Sequence, residues 1–221
     1  MNLVADAGSS KIDWAFIEGK EVLRFQTPGT NPSILANAQT IIETWGNTIN
    51  NFPKKLENIH FFGAGCRDEI ANNKIKEALQ KTFIINGVLE IDSDIIGAAR
   101  GLYGKEQGNI LILGTGLNTG YYDGSKIAFK TPSLGYLLGD EGSGFDLGKT
   151  ITAAYLRKQL DPTLSNTLRQ YFITKNIQDP ISFIYGQAAP NKIIASILEA
   201  LKDNLQNTTL KQIVRERFEC M

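Results

Sequence analysis

The sequence predicts an α/β protein of two lobes, and three observations predict it. The chain opens with short β-type runs separated by glycine turns; helical and strand patterns then alternate; and beyond a polar break at Gly104-Lys105-Glu106-Gln107-Gly108 the opening theme of strand, glycine turn and further strands returns. Repetition of one theme in each half predicts duplicated lobes with a central cleft, divided as residues 1–107 and 108–221.

The first lobe reads as βββαβαβα. Residues 2–5, 12–18 and 22–26 form a predicted meander punctuated by Gly8-Ser9-Ser10 and Gly19-Lys20. A helical pattern runs from Pro32 to about Asn50, and the apolar run Ile59-His60-Phe61-Phe62 ends at Gly63-Ala64-Gly65. Residues 67–81 read as helix, 88–91 as strand and 94–103 as helix. In the second lobe residues 109–113 form a buried strand, followed by a glycine turn and strands at 120–123 and 126–130. From Gly142 onward the pattern is helical, with breaks at Asp161-Pro162, Asp179-Pro180 and Pro190-Asn191.

Composition removes several classes of function. Lys plus Arg is 23 and Asp plus Glu is 23, a balance without the basic footprint that grips nucleic acid or an anionic membrane. The two cysteines, Cys66 and Cys220, build neither a disulfide framework nor a thiolate metal site, and one histidine, His60, cannot supply both a base and metal ligands. The first residues lack a secretory pattern, no apolar run reaches membrane-spanning length, and a reducing cytoplasmic setting is expected. The chemistry is left to carboxylates, hydroxyls and backbone amides.

Four segments suit such chemistry. Asp6-Ala7-Gly8-Ser9-Ser10-Lys11 follows a strand; small residues let amides approach phosphate oxygens, and an acid at a strand end holds Mg²⁺ through water. Read alone, it is first of all a hairpin turn. Leu113-Gly114-Thr115-Gly116-Leu117-Asn118-Thr119-Gly120 repeats the arrangement, and it is not a dinucleotide fingerprint, because Thr119 stands where the third glycine is needed. Leu134-Gly135-Tyr136-Leu137-Leu138-Gly139-Asp140-Glu141-Gly142-Ser143-Gly144 places two acids among glycines before a helix, the composition of a ligand loop. Asp92-Ser93-Asp94 stands where strand passes to helix; a carboxylate there can accept a hydroxyl proton, although Asp92 or Ser93 is also a natural helix cap. Gly148-Lys149-Thr150 ends like a phosphate-binding P-loop, but Ser143 occupies the position of its first glycine, and Lys149 is read as a solvated helix residue.

Taken in order, Asp6 to Lys11 with Asp13-Trp14, Thr30-Asn31, Gly63-Ala64-Gly65-Cys66, Asp94-Ile95-Ile96-Gly97-Ala98-Ala99, Leu113 to Asn118, and Leu138-Gly139-Asp140-Glu141-Gly142-Ser143 resemble the N-acetylglucosamine kinases and BadF/BadG-type ATPases. These form a branch of the sugar-kinase, heat-shock-protein-70 and actin superfamily. The resemblance implies ribonuclease-H-like (actin-like ATPase) lobes, ATP and Mg²⁺ as cofactors, a small sugar as substrate, and a homodimer. It implies Asp94 as catalytic base and Asp6 as the Mg²⁺ residue. It implies Gly8, Ser9, Ser10, Lys11, Gly114 and Thr115 around the ATP phosphates, and Asn31, Thr115, Gly116, Asn118, Gly135 and Asp140 around the sugar and its N-acetyl group. It also implies an adenosine-binding glycine segment and a last helix for which residues up to Met221 show no counterpart, a shortened C-terminus. Ser10 and Leu117 stand where relatives carry threonine and serine. A partner-driving ATPase and a sugar-binding module without nucleotide chemistry remain the alternatives.

Overall fold

A computed structural model describes residues 1–8 and 10–221; Ser9, expected at the phosphates, lies outside the described residues. The chain forms two compact units, Met1–Ile110 with Tyr121–Phe129, and Leu111–Gly120 with Lys130–Met221.

The first unit is built on a five-stranded sheet in the order β3-β2-β1-β5-β7, where β1 is Asn2–Ala7, β2 Lys11–Glu18, β3 Glu21–Pro28, β5 Asn58–Gly63 and β7 Leu89–Ser93. β1 runs antiparallel to β2 and parallel to β5, and β5 runs parallel to β7. Period-two alternation sends Leu3, Ala5, Ile12, Trp14, Ile59 and Phe61 to one face, all fully buried. Helices α1 (Ala38–Trp45) and α2 (Glu69–Thr82) cover that face with Ile41, Trp45, Ile75 and Leu79. The two indoles pack edge to face, and each N–H is satisfied: Trp14 Nε1 donates to Thr27 Oγ1 at 2.9 Å and Trp45 Nε1 to Thr30 Oγ1 at 3.0 Å. α3 (Asp94–Tyr103) lies on the opposite face, so close that a Cβ on Gly97 would stand 2.6 Å from Phe62 Cβ.

α1 is shorter than its pattern. Asn31 Oδ1 accepts the Ser33 amide in a local turn, Asn37 Oδ1 caps the helix by accepting the Thr40 amide, and Gly46 ends it at φ 68°. The rest of the expected helix is a 3₁₀ turn, Asn47–Asn51. A two-residue parallel pair, β4 (Lys55–Leu56) with β6 (Ile84–Ile85), was not foreseen. β8 (Gly108–Leu113), β9 (Leu117–Tyr122) and β10 (Ile127–Phe129) form a sheet in the order β10-β9-β8; the division between units falls within β8 and β9. β9 begins at Leu117, before the expected Gly120, because Gly114 N donates to Gly116 O at 3.0 Å and closes a tighter turn.

The second unit is helical beyond the hairpin: α4 (Gly135–Leu138), α5 (Gly144–Leu156), α6 (Pro162–Thr174), α7 (Pro180–Tyr185), α8 (Pro190–Ser196) and α9 (Thr208–Glu219), with a 3₁₀ stretch at Ile197–Asn204. The Asp-Pro breaks are helix starts. Asp161 accepts the Thr163 and Leu164 amides, Asp179 accepts the Ile181 amide, and each proline takes a first-turn position whose N–H needs no helical partner. Ile151, Leu164, Leu168, Phe172, Ile197 and Leu201 form the core. Gly148 has a packing reason: a Cβ there would stand 2.3 Å from the backbone oxygen of Ile194 on α8. Since backbone cannot swing aside, Gly148→Ala is expected to lower stability by about 1–3 kcal/mol, despite the better helix propensity of alanine. A lower urea midpoint at unchanged slope checks this. Among the described residues no helix is long and apolar enough to cross a membrane.

Candidate functional site

In the first unit the acids of the sequence motifs come together at the end of the sheet where β1, β5 and β7 finish. Register pairs Asp6 with Asp13, Asp6 with Phe62, and Phe62 with Asp92, so these four side chains share the face on which α3 lies. Asp94 opens α3 directly after β7, and its Oδ1 accepts the Ile95 amide at 2.9 Å. Neither alternative cap is realised: Ser93 sits at the cap position without a side-chain capping bond, and Asp92 Oδ1 accepts the adjacent Ser93 amide at 2.7 Å.

The carboxyl of Asp6 is held above the ordinary aspartate range, first by partial desolvation and then by the charges of Asp13 and Asp94, with Lys11 opposing. Asp13 goes the other way, lowered chiefly by Lys11 Nζ at 2.8 Å and helped by Gln26 Nε2 at 2.6 Å. Lys11 therefore serves a carboxylate of its own hairpin. Burial, followed by Asp94 and Asp92, pushes the Cys66 thiol up to about 12, so it stays protonated and unreactive.

Among the described residues no three His, Cys, Asp or Glu side chains are gathered tightly enough to cage a metal. One or two carboxylates are what Mg²⁺ commonly takes from protein when waters and phosphates complete its shell, and a dication would relieve the repulsion that raises Asp6. The residues fit that ion.

The hairpin reading of the glycine loops is realised in both. Gly8 N donates to Lys11 O at 2.9 Å and Gly29 N to Ser10 O at 3.0 Å, so the amide of Gly8, like that of Gly114, is committed to its own turn. Asn31 sits against the Gly63 to Cys66 loop: Gly65, at φ 89°, leaves the space that Asn31 Oδ1 fills, and Ser33 Oγ donates to Gly65 O at 2.9 Å.

In the second unit a pocket of about 160 Å³ is lined by Asn118, Thr119, Leu134, Asp140 and Glu141. Gly135 begins α4, one helical turn where glycine density suggested open loop. Phe145 N donates to Thr115 O at 3.0 Å and Gly144 N to Gly114 O at 2.8 Å, fastening the hairpin tip to the start of α5. Asp140 is left-handed at φ 61°, rare for a residue with a Cβ, and its Oδ2 lies 2.6 Å from where a Cβ on Gly116 would be. Gly116 is thus the residue that lets the Asp140 carboxylate approach. Asp146 and Arg217 join this cluster although no motif singled them out; the buried Asp146 accepts from Arg217 Nε at 2.7 Å across 71 residues of sequence.

No protein-family model matches the chain. The N-acetylmuramic acid/N-acetylglucosamine kinase of Clostridium acetobutylicum is 26% identical over 166 residues, 71% of this chain and 54% of that protein. The chain therefore spans about half the length of that curated relative. A crystal structure from Porphyromonas gingivalis, described as a candidate N-acetylglucosamine kinase, matches at TM-score 0.84 and 29% identity over 99% of this chain and 78% of its own. One from Chromobacterium violaceum, described in the same words, shares the fold at TM-score 0.69 and 15% identity over 98% of this chain and 78% of its own. With its sheet and hairpins, the chain is similar to N-acetylglucosamine kinases and shares the α/β fold of these two solved structures.

Proposed function

We propose that the protein transfers the γ-phosphoryl group of ATP to a hydroxyl, O6, of N-acetylglucosamine or a closely related neutral amino sugar. The observation that supports this most is the placing of Asp94 beside Asp6 at one end of the sheet, a base next to a cation-binding carboxylate. Asp94 takes the hydroxyl proton as the sugar oxygen bonds to phosphorus and the bridging oxygen leaves with ADP. Asp6 holds Mg²⁺, which when bound offsets negative charge on the phosphates. The loops of Gly8, Ser9, Ser10 and Lys11 and of Gly114 and Thr115 receive the phosphates. Asn31, Thr115, Gly116, Asn118, Gly135 and Asp140 orient the sugar.

The lining of the 160 Å³ pocket sharpens the substrate class. It contains two carboxylates, Asp140 and Glu141, and among the described residues no basic side chain. Acids accept hydrogen bonds from sugar hydroxyls and repel an acidic substituent. ADP release measured over a panel of sugars tests the proposal. N-acetylglucosamine is expected to support turnover, and N-acetylmuramic acid, with its lactyl carboxylate, to give a kcat/KM lower by about 10-fold or more, one close like-charge contact at about 1.4 kcal/mol. ADP release that ignores every sugar, or sugar binding without any ADP release, sinks it.

A further inference from the structure

We infer that Arg217, on the last helix and far along the chain from every motif, is a positioning residue that fixes Asp140 in the sugar pocket. The inference rests on the reading of that pocket given above. Arg217 grips Asp146 with two donors, Nε to Oδ2 at 2.7 Å and Nη2 to Oδ1 at 3.2 Å. The side chain of Asp146 is 4% exposed, and the same Oδ2 accepts the Gly142 amide at 3.0 Å. Lys149 adds a weaker contact to Oδ1 at 3.5 Å. Ser143, fully buried, caps α5 by accepting the Asp146 amide at 3.3 Å, and its own amide donates to Asp140 O at 3.1 Å.

Two consecutive residues after Asp140 and Glu141 are therefore tied to Asp146, Gly142 through its amide and Ser143 through its side-chain hydroxyl. The same end of α9 closes over the loop from outside: a Cβ on Gly142, which is at φ 74°, would meet the Phe218 ring at 3.0 Å and Met221 Sδ at 3.4 Å. Asp140 needs this support, because a left-handed aspartate persists only where its surroundings over-determine it. Take away the guanidinium, and the Asp146 carboxylate loses the partner that justifies its burial; the Gly142 amide loses a fixed acceptor; the turn presenting Asp140 relaxes.

The tether is read directly by hydrogen exchange on the intact chain. Arg217→Met is expected to speed exchange of the amides of residues 140–144 by at least about 10-fold while β1 and β5 keep their rates. Should that variant fold poorly, Asp146→Asn, which keeps shape and an acceptor but loses the charge, gives the same readout. Unchanged exchange in residues 140–144 overturns the inference. Calorimetry with N-acetylglucosamine separates positioning from general loosening. Arg217→Met and Asp140→Asn are each expected to weaken binding, and the double variant no more than Asp140→Asn alone, with kcat of Arg217→Met at saturating sugar within about 2-fold of wild type. Additive losses overturn it. If wild type binds no N-acetylglucosamine, the proposed function fails, and the exchange experiment still decides the tether.

Discussion

Asp94→Asn is expected to lower kcat by about 10²–10⁴-fold, the usual worth of a positioned general base, and to leave the KM for sugar within about 2-fold. That is about 3–5 kcal/mol on the barrier. Asparagine keeps the shape and an oxygen to accept the Ile95 amide, so the start of α3 survives and the loss is chemical. Removing the charge also takes one of the like charges from beside Asp6, whose carboxyl moves back toward the ordinary aspartate range. Steady-state ADP release with matched thermal melts is the measurement; full activity in a folded Asp94→Asn protein would falsify the assignment of Asp94 as base.

Asp146→Ala carries the second large effect. It strands Arg217, whose side chain is 29% exposed, and leaves the Gly142 amide without its acceptor. The expected cost is about 3 kcal/mol, the lower end for breaking a buried pair because the guanidinium keeps some water. For a chain of this size that lowers the melting midpoint by about 6–12 °C. The pH dependence has a definite sign. Burial alone would raise the Asp146 carboxyl, but Arg217 and the Gly142 amide outweigh it and hold it below the ordinary range. With the folded pKa below the unfolded one, the stabilisation is complete above about pH 4 and is lost as pH falls through the folded value. Urea titrations should show the gap between wild type and variant widest near neutrality and narrowing on acidification below about pH 4. A gap of constant width would assign the loss to a cavity and not to the ion pair.

The legible parts of this molecule were those written in local periodicity. Strands β1, β2 and β5 announce themselves as short apolar runs bounded by glycine turns, and the Asp-Pro pairs mark the boundaries of the helices. The first helix was read too long because Pro32 to Asn37 carry a compatible apolar spacing, while the turn at Asn31 and the cap at Asn37 compete successfully for the same amides. Gly148-Lys149-Thr150 was separated from a phosphate loop by its position in a helix, yet why a glycine is needed there emerges only once α8 crosses α5. Read alone, Asp6 is a turn acid and Asp92 and Asp94 are cap acids; parallel pairing of β1, β5 and β7 is what brings their ends together. The Asp146–Arg217 pair had no signal at all, since no spacing rule links an acid in one helix to a base 71 residues later.

The first unit is discontinuous along the chain, Met1–Ile110 being completed by Tyr121–Phe129, where Tyr122 is 2% exposed and donates its hydroxyl to Gly104 O at 3.1 Å. On the ribosome, then, this unit cannot close when residue 110 leaves the exit tunnel. Its final strands arrive only after a stretch that belongs to the other unit has been synthesised, so this unit is complete only once residues 121–129 are made.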